Sequence, residues 1–220
     1  MRFVILAIVT GALYGADTAD ADRLKRSADV FQEIMQAPDN GVPQPLLDKA
    51  ECVVVVPGLK KGAFIIGAKY GRGFVSCRKA GAGWGAPGAV RVEGGSVGFQ
   101  IGGSETDVVM LVMNERGARR LMNSKFTLGG DASVAAGPVG RTATAETDAY
   151  MTAEILTWSR SRGVFAGVSL SGATLRQDLD VNRKLYGKTL ENKEVVFGNL
   201  AAPASAKELL GLLNKYSSRK

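Results

Sequence analysis

The sequence predicts an α+β domain: a curved antiparallel sheet of many strands, open or closed into a barrel, covered by helices near both ends of the chain. Three observations predict it. Short strand-like runs follow one another from Cys52 to Thr174, continuous and apolar at Cys52–Val56 and alternating with period two from Val164 to Ser171. Apolar residues recur at helical spacing near both ends, and many of the 28 glycines sit inside the strand-like runs without a fixed period. With 220 residues, of which 45% are hydrophobic and 22% charged, the chain suffices for one domain with a substantial core, and no linker divides it.

The first helix is predicted over 22–37. Leu24, Ala28, Phe31 and Met35 recur at helical spacing, Val30 and Ile34 join them, and Asp22 stands as N-cap. Arg23, Lys25 and Arg26 crowd its first turn, where the helix dipole disfavours cations. Pro38, Gly41, Pro43 and Pro45 break the chain before a short helix at 46–50. Strands are predicted at 52–56, ended by Pro57-Gly58, and at 63–70 and 73–78, parted by Gly71-Arg72 as a hairpin signal. Others fall at 84–93, 96–101 and 107–113, after which Asn114 caps a short helix through Met122. Strand-like chemistry returns between Phe126 and Glu146, bent at Gly137-Pro138, and again at 150–159 and 163–174. Asp178 to Tyr186 reads as a helix stopped by Gly187. Ser205 and Glu208 form a capping box for a last helix with the stripe Leu209, Leu212, Leu213 and Tyr216.

The N-terminus reads as a signal peptide over residues 1–16. Arg2 precedes an apolar run from Phe3 to Val9, too short to span a bilayer, and Gly15 and Ala16 suit cleavage. The domain proper is then 17–220, exported to the periplasm or secreted, and peripheral where it meets a membrane. Export permits a disulfide between Cys52 and Cys77; two buried thiols in apolar strands are the alternative. The chain carries 28 Lys and Arg against 21 Asp and Glu, a basic balance suited to anionic surfaces. Scattered cations and two tryptophans make nucleic acid a poor partner.

There is no histidine, which excludes the usual serine triad and histidine-based zinc sites. "GLKKGAF" and "GAGWGAPG" lack the strand–glycine–helix context of a nucleotide-binding loop, and no cofactor or metal is implied. Glu105 with Asp107, and Glu146 with Asp148, share strand faces as paired carboxylates, a minor hydrolase reading against the commoner role of bonding loops or arginines.

"GAFIIGAKYGRGFV", "GGSVGFQIGGSETDVVMLVMN", "LGGDASVAAGPVGR" and "SRSRGVFAGVSLSGATLRQD", followed by "NRKLYG", closely resemble the SYLF domain family from about Leu24 to Leu213. The resemblance implies a non-enzymatic module that binds anionic phospholipids, with an amphipathic N-terminal helix contributing membrane contact; some eukaryotic members also bind actin filaments. Here that helix would carry Lys25, Arg26 and Phe31, while Lys60, Lys61, Arg72, Arg160 and Arg162 would stand as cations at strand ends. The expected function is therefore peripheral binding of anionic phospholipid in the cell envelope. A structural module that binds other proteins is the alternative.

Overall fold

The structure, a computed structural model, describes residues 18–37, 41–63, 66–79, 83–97, 102–138, 152–161, 164–167 and 170–217. Helices α1 (Thr18–Gln36) and α2 (Gln44–Lys49) lead into four long strands. These are β1 (Cys52–Ala63), β2 (Ile66–Cys77), β3 (Gly88–Val97) and β4 (Gly102–Val112). After α3 (Glu115–Leu121) come five shorter ones: β5 (Lys125–Thr127), β6 (Val134–Ala136), β7 (Ile155–Ser161), β8 (Val164–Gly167) and β9 (Thr174–Gln177). The last described elements are α4 (Leu179–Tyr186), α5 (Asn192–Val196), a 3-10 turn (Ala204–Ala206) and α6 (Lys207–Tyr216).

The strands form one curled sheet in the order β5-β9-β3-β2-β1-β4-β7-β6, with β8 added to β7. The α+β class is as expected, with helices at both ends of the described chain. One detail differs: β6 runs parallel to β7, so the sheet is mixed. Among the described residues the order ends at β5 and β6, a half-barrel, which is the open one of the two expected forms.

β1 lies at the middle of this order and is buried on both faces, which explains why its sequence is a continuous apolar run instead of an alternation. Cys52, Val54 and Val56 point into one cluster with Met110, Phe126, Leu175 and Val196. Val53 and Val55 point the other way, into a second cluster with Phe74, Leu111 and Trp158. On that second face lie α1, through Leu24, Ala28, Phe31 and Ile34, and α6, through Leu209 and Leu213. The apolar stripe of α1 is therefore spent on the domain's own core.

β1 and β2 each run straight through the break that composition suggested. Val56 pairs with Val108 and Leu59 with Thr106, so Pro57 and Gly58 together oppose Asp107 alone. This is a β-bulge, and it suits Pro57, which has no N–H to donate to a ladder. Gly58 takes a φ of 63° there. Across the sheet, Arg72 pairs with Arg91 inside β2, so Gly71-Arg72 is no turn. A Cβ at Gly73 would lie 2.0 Å from the Val55 carbonyl oxygen, so the bulge presses on β2 where only glycine fits.

Other boundaries move for local reasons. α1 begins before Asp22, which lies inside the helix, and Arg23, Lys25 and Arg26 fall in its second and third turns, with Asp20 in the first. Asn114 and Asp178 cap their helices as expected, and Gly187 ends α4 at φ 72°. Ser205 makes no cap: a 3-10 turn precedes α6, and the capping box belongs to Glu191 and Glu194 before α5. Of the predicted strand at 163–174, Val164–Gly167 forms β8 on β7 and Ser171-Gly172 is a turn, while β9 starts only at Thr174 and pairs with β3.

Cys52 and Cys77 sit directly opposite each other on β1 and β2 and form a disulfide, buried in the first cluster. Its ring spans a sequence separation of 25 residues. Replacing both cysteines with alanine is expected to lower stability by about 3 kcal/mol through the unfolded chain alone. Urea denaturation without reductant checks this; an unchanged midpoint would show that the bond does not constrain the fold.

Candidate functional site

Beyond the bulge, the sheet face that carries α1 and α6 changes character. Up to Val55 and Phe74 it is apolar and covered by helices; from Lys60, Tyr70 and Arg72 onward it is polar and partly open. Between this margin and α1 lies a cleft of about 250 Å³. Arg23 and Arg26 line it from α1, Pro57, Gly58 and Lys60 from β1, Tyr70, Gly71 and Arg72 from β2, and Glu105 from β4. Four cations thus face one exposed carboxylate.

Helical spacing brings Arg23 and Arg26 to one side of α1. Arg23 is braced by Asp20 at 2.5 Å, and Asp20 is almost wholly buried. Arg26 and Lys60 are exposed and form no ion pair among the described residues. Arg72 donates through Nε to the Tyr70 hydroxyl at 2.8 Å and pairs with Asp178 at 3.2 Å. Burial acts to lower the Arg72 pKa, but Asp178 and Tyr70 outweigh it and raise it, so the guanidinium stays charged. Tyr70, 46% exposed, is among the described residues one of the few large apolar side chains open to solvent.

Asp107 builds the floor rather than the lining. It accepts a hydrogen bond from the Gly58 N–H at 2.9 Å and one from Arg160 Nε at 2.8 Å. Burial pushes its carboxyl above the usual carboxylate range, while the Gly58 hydrogen bond opposes that rise. The guanidinium contact favours the ionised form. Arg160 also pairs with Glu33 of α1, so it ties the helix to β4 and β7. A Cβ at Gly58 would meet Glu105 Oε1 at 2.6 Å, so this residue's left-handed backbone and missing side chain both shape the cleft.

The expected site residues divide accordingly. Arg26, Lys60 and Arg72 converge on the cleft. Lys25 does not; it lines a separate groove between α1 and α6 with Leu212 and Lys215. Lys61 lies on the opposite face from Lys60, beside its cross-strand partner Lys69, and burial followed by the Lys69 charge lowers its pKa. Phe31 is fully buried beneath α1 and packs edge-on to Tyr216, 6.2 Å between centroids. This corrects its assignment as a membrane contact, because the stripe it belongs to already covers the sheet. Arg160 is not among the residues that line the cleft, and two carboxylates engage its charge. Lys60, Lys61 and Arg72 stand within long strands, not at strand ends. Arg162, Glu146 and Asp148 lie outside the described residues.

Sequence reasoning missed Arg23 and Tyr70 as lining residues. The i,i+3 spacing of Arg23 and Arg26 was a usable signal; the proximity of Tyr70 depends on the bulge. Glu105 and Asp107 do share a face, but Asp107 is bound into the bulge and paired with Arg160, an arrangement that builds structure. Among the described residues, no group of three or more Cys, Asp or Glu is placed to hold a metal.

Residues 93–216, more than half of the chain, match the Ysc84 family, described as "Las17-binding protein actin regulator". The chain belongs to the Ysc84 (SYLF) family. SH3 domain-containing YSC84-like protein 1 of Xenopus laevis is 35% identical over 184 residues, covering 83% of this chain and 55% of that protein. Its Homo sapiens counterpart is 31% identical over 201 residues, covering 89% and 58%. Protein YSC84 of Saccharomyces cerevisiae is 31% identical over 201 residues, covering 90% and 42%. This Ysc84-family chain therefore spans little more than half the length of the vertebrate relatives. The family description is one of binding rather than catalysis.

Two substitutions separate core from cleft. Phe31→Ala should cost about 3–5 kcal/mol of stability, measured by chemical denaturation, as a buried aromatic does. Gly58→Ala should cost about 1–2 kcal/mol from its left-handed backbone. If Phe31→Ala left stability unchanged, α1 would not be seated on the sheet through this ring.

Proposed function

We propose that this chain is a non-enzymatic, peripheral binder of anionic phospholipids, which seats a headgroup phosphate in the cleft between α1 and the β1 bulge. The observation that carries the reading is the convergence of Arg23, Arg26, Lys60 and Arg72 on one cleft. Arg23 and Arg72 are held in place by buried Asp20 and Asp178, so two guanidinium groups are oriented before a ligand arrives. Arg26 and Lys60 supply two further charges that Glu105, the cross-strand partner of Lys60, offsets only in part, and Tyr70 at the rim offers an amphipathic ring to the lipid interface.

The reading takes residues 1–16 as a signal peptide and 17–220 as a single lipid-binding domain in the cell envelope. Support comes from the Cys52–Cys77 disulfide, since such bonds persist in oxidising compartments. Among the described residues no helix is long and apolar enough to cross a membrane. The family description names Las17 and actin regulation, and a protein partner is the second reading that the same experiment tests.

Co-sedimentation of the protein with phosphatidylglycerol and phosphatidylcholine vesicles provides the test. Binding should favour the anionic vesicles and weaken as salt rises. Arg26→Glu with Lys60→Glu should weaken it at least about tenfold, each basic residue near such a surface being worth about 1 kcal/mol. Equal binding to both vesicles, or indifference to the double substitution, would refute the lipid reading and leave the protein-partner one.

A further inference from the structure

The exposed half of the same sheet face carries a second cationic feature, away from α1. Arg72 of β2 is the direct cross-strand partner of Arg91 of β3. Arg91 is the partner of Arg176 of β9, and Arg176 of Lys125 of β5. All four lie on one face, because Phe126 and Leu175, their neighbours along the strands, point into the opposite cluster. Four strands thus place four cations in a single row, about 14 Å long at the usual strand spacing. Like charges directly opposite each other destabilise a sheet, so the row is costly to the bare fold.

Internal compensation is incomplete. Glu93 is shared by Arg91 at 3.1 Å and Arg176 at 3.2 Å. Yet the shielded Nε atoms of both arginines lack a properly directed hydrogen bond. Arg72 has Asp178, and Lys125 is exposed with no ion pair among the described residues. Arg91 and Arg176 remain more than one third exposed. The next row along the strands, Tyr70, Glu93, Thr174 and Thr127, is neutral apart from Glu93.

We propose that the row Arg72, Arg91, Arg176 and Lys125 is a docking surface for a flexible linear polyphosphate chain. Its phosphates would spread over the four cations and compete with Glu93 for the two central guanidinium groups. Guanidinium forks pair bidentately with phosphate oxygens, which favours arginine at three of the four places. Sheet twist turns each strand about 20–25° against the next, so the row winds by about 60–75° across its length. A rigid acidic helix or a flat bilayer cannot follow that winding, whereas a chain of linked phosphates can. Single-stranded nucleic acid would need stacking platforms, and the row itself has no aromatic side chain. This inference is independent of lipid binding in the cleft, with which it shares only Arg72.

The test uses the full chain, with fluorescently labelled inorganic polyphosphate followed by anisotropy over a salt series. Orthophosphate, polyglutamate and phosphatidylglycerol vesicles serve as competitors. Polyphosphate should bind, orthophosphate and polyglutamate should compete poorly, and the logarithm of affinity should fall linearly with that of salt. Arg91→Gln with Arg176→Gln should weaken binding about tenfold and reduce the salt slope by about two, while leaving vesicle binding within about twofold. Lys125→Gln, which removes no ion pair seen in the structure, should weaken it about threefold and carries the test if the double variant misfolds. Arg26→Glu with Lys60→Glu should disturb vesicles alone. Absence of polyphosphate binding at low salt, equal binding of polyglutamate, or affinity unchanged in both row variants would overturn the proposal.

Discussion

The fold depends on β1 being buried on both sides at once. Cys52, Val54 and Val56 hold the first cluster, while Val53 and Val55 hold the second, beneath α1 and α6. A strand so placed cannot slip in register without exchanging its two cores. The disulfide to Cys77 fixes that register at one end. At Pro57-Gly58 the constraint is released by one extra residue, and the two-sided core gives way to a charged margin on the face that carries α1.

That release positions the chemistry. The bulge aims the Gly58 N–H at Asp107, Asp107 engages Arg160, and Arg160 reaches Glu33 on α1. The helix is thus tied down beside the same bulge that leaves room for a cleft. Arg23 and Arg26 then overhang Lys60 and Arg72 because the apolar stripe of α1 has fixed its rotation. α1 contributes charge to the site and hydrophobicity to the core, two tasks on two faces of one helix. Membrane affinity would rest on electrostatics with a small aromatic contribution from Tyr70, not on insertion of the buried stripe.

Much of this was legible in the sequence. The helical periodicity through Leu24, Ala28 and Phe31 identified α1, and Asn114, Asp178 and Gly187 marked helix ends correctly, because each acts through its own local backbone. Glycine misled at Gly71, read with Arg72 as a turn although it lies, like Gly73, inside β2. There it answers the close approach of the β1 bulge, a tertiary cause that local turn chemistry cannot reveal. The same holds for Lys60 and Lys61: adjacency in sequence sends them to opposite faces, and only strand continuity shows which one shares the cleft. The row from Arg72 to Lys125 was invisible, since its members are brought side by side by the β5-β9-β3-β2 order alone.

The central claim is that lipid meets the charged face of a helix that stays docked. Hydrogen–deuterium exchange of the intact protein, with and without phosphatidylglycerol vesicles, tests it most directly. Amides around Arg23 and Arg26 and around the Gly58 bulge should gain protection, while those from Leu24 to Ile34 should exchange no faster than in the free protein. Faster exchange along that helical segment on vesicle binding would mean that α1 leaves the sheet to enter the bilayer, and would contradict the claim.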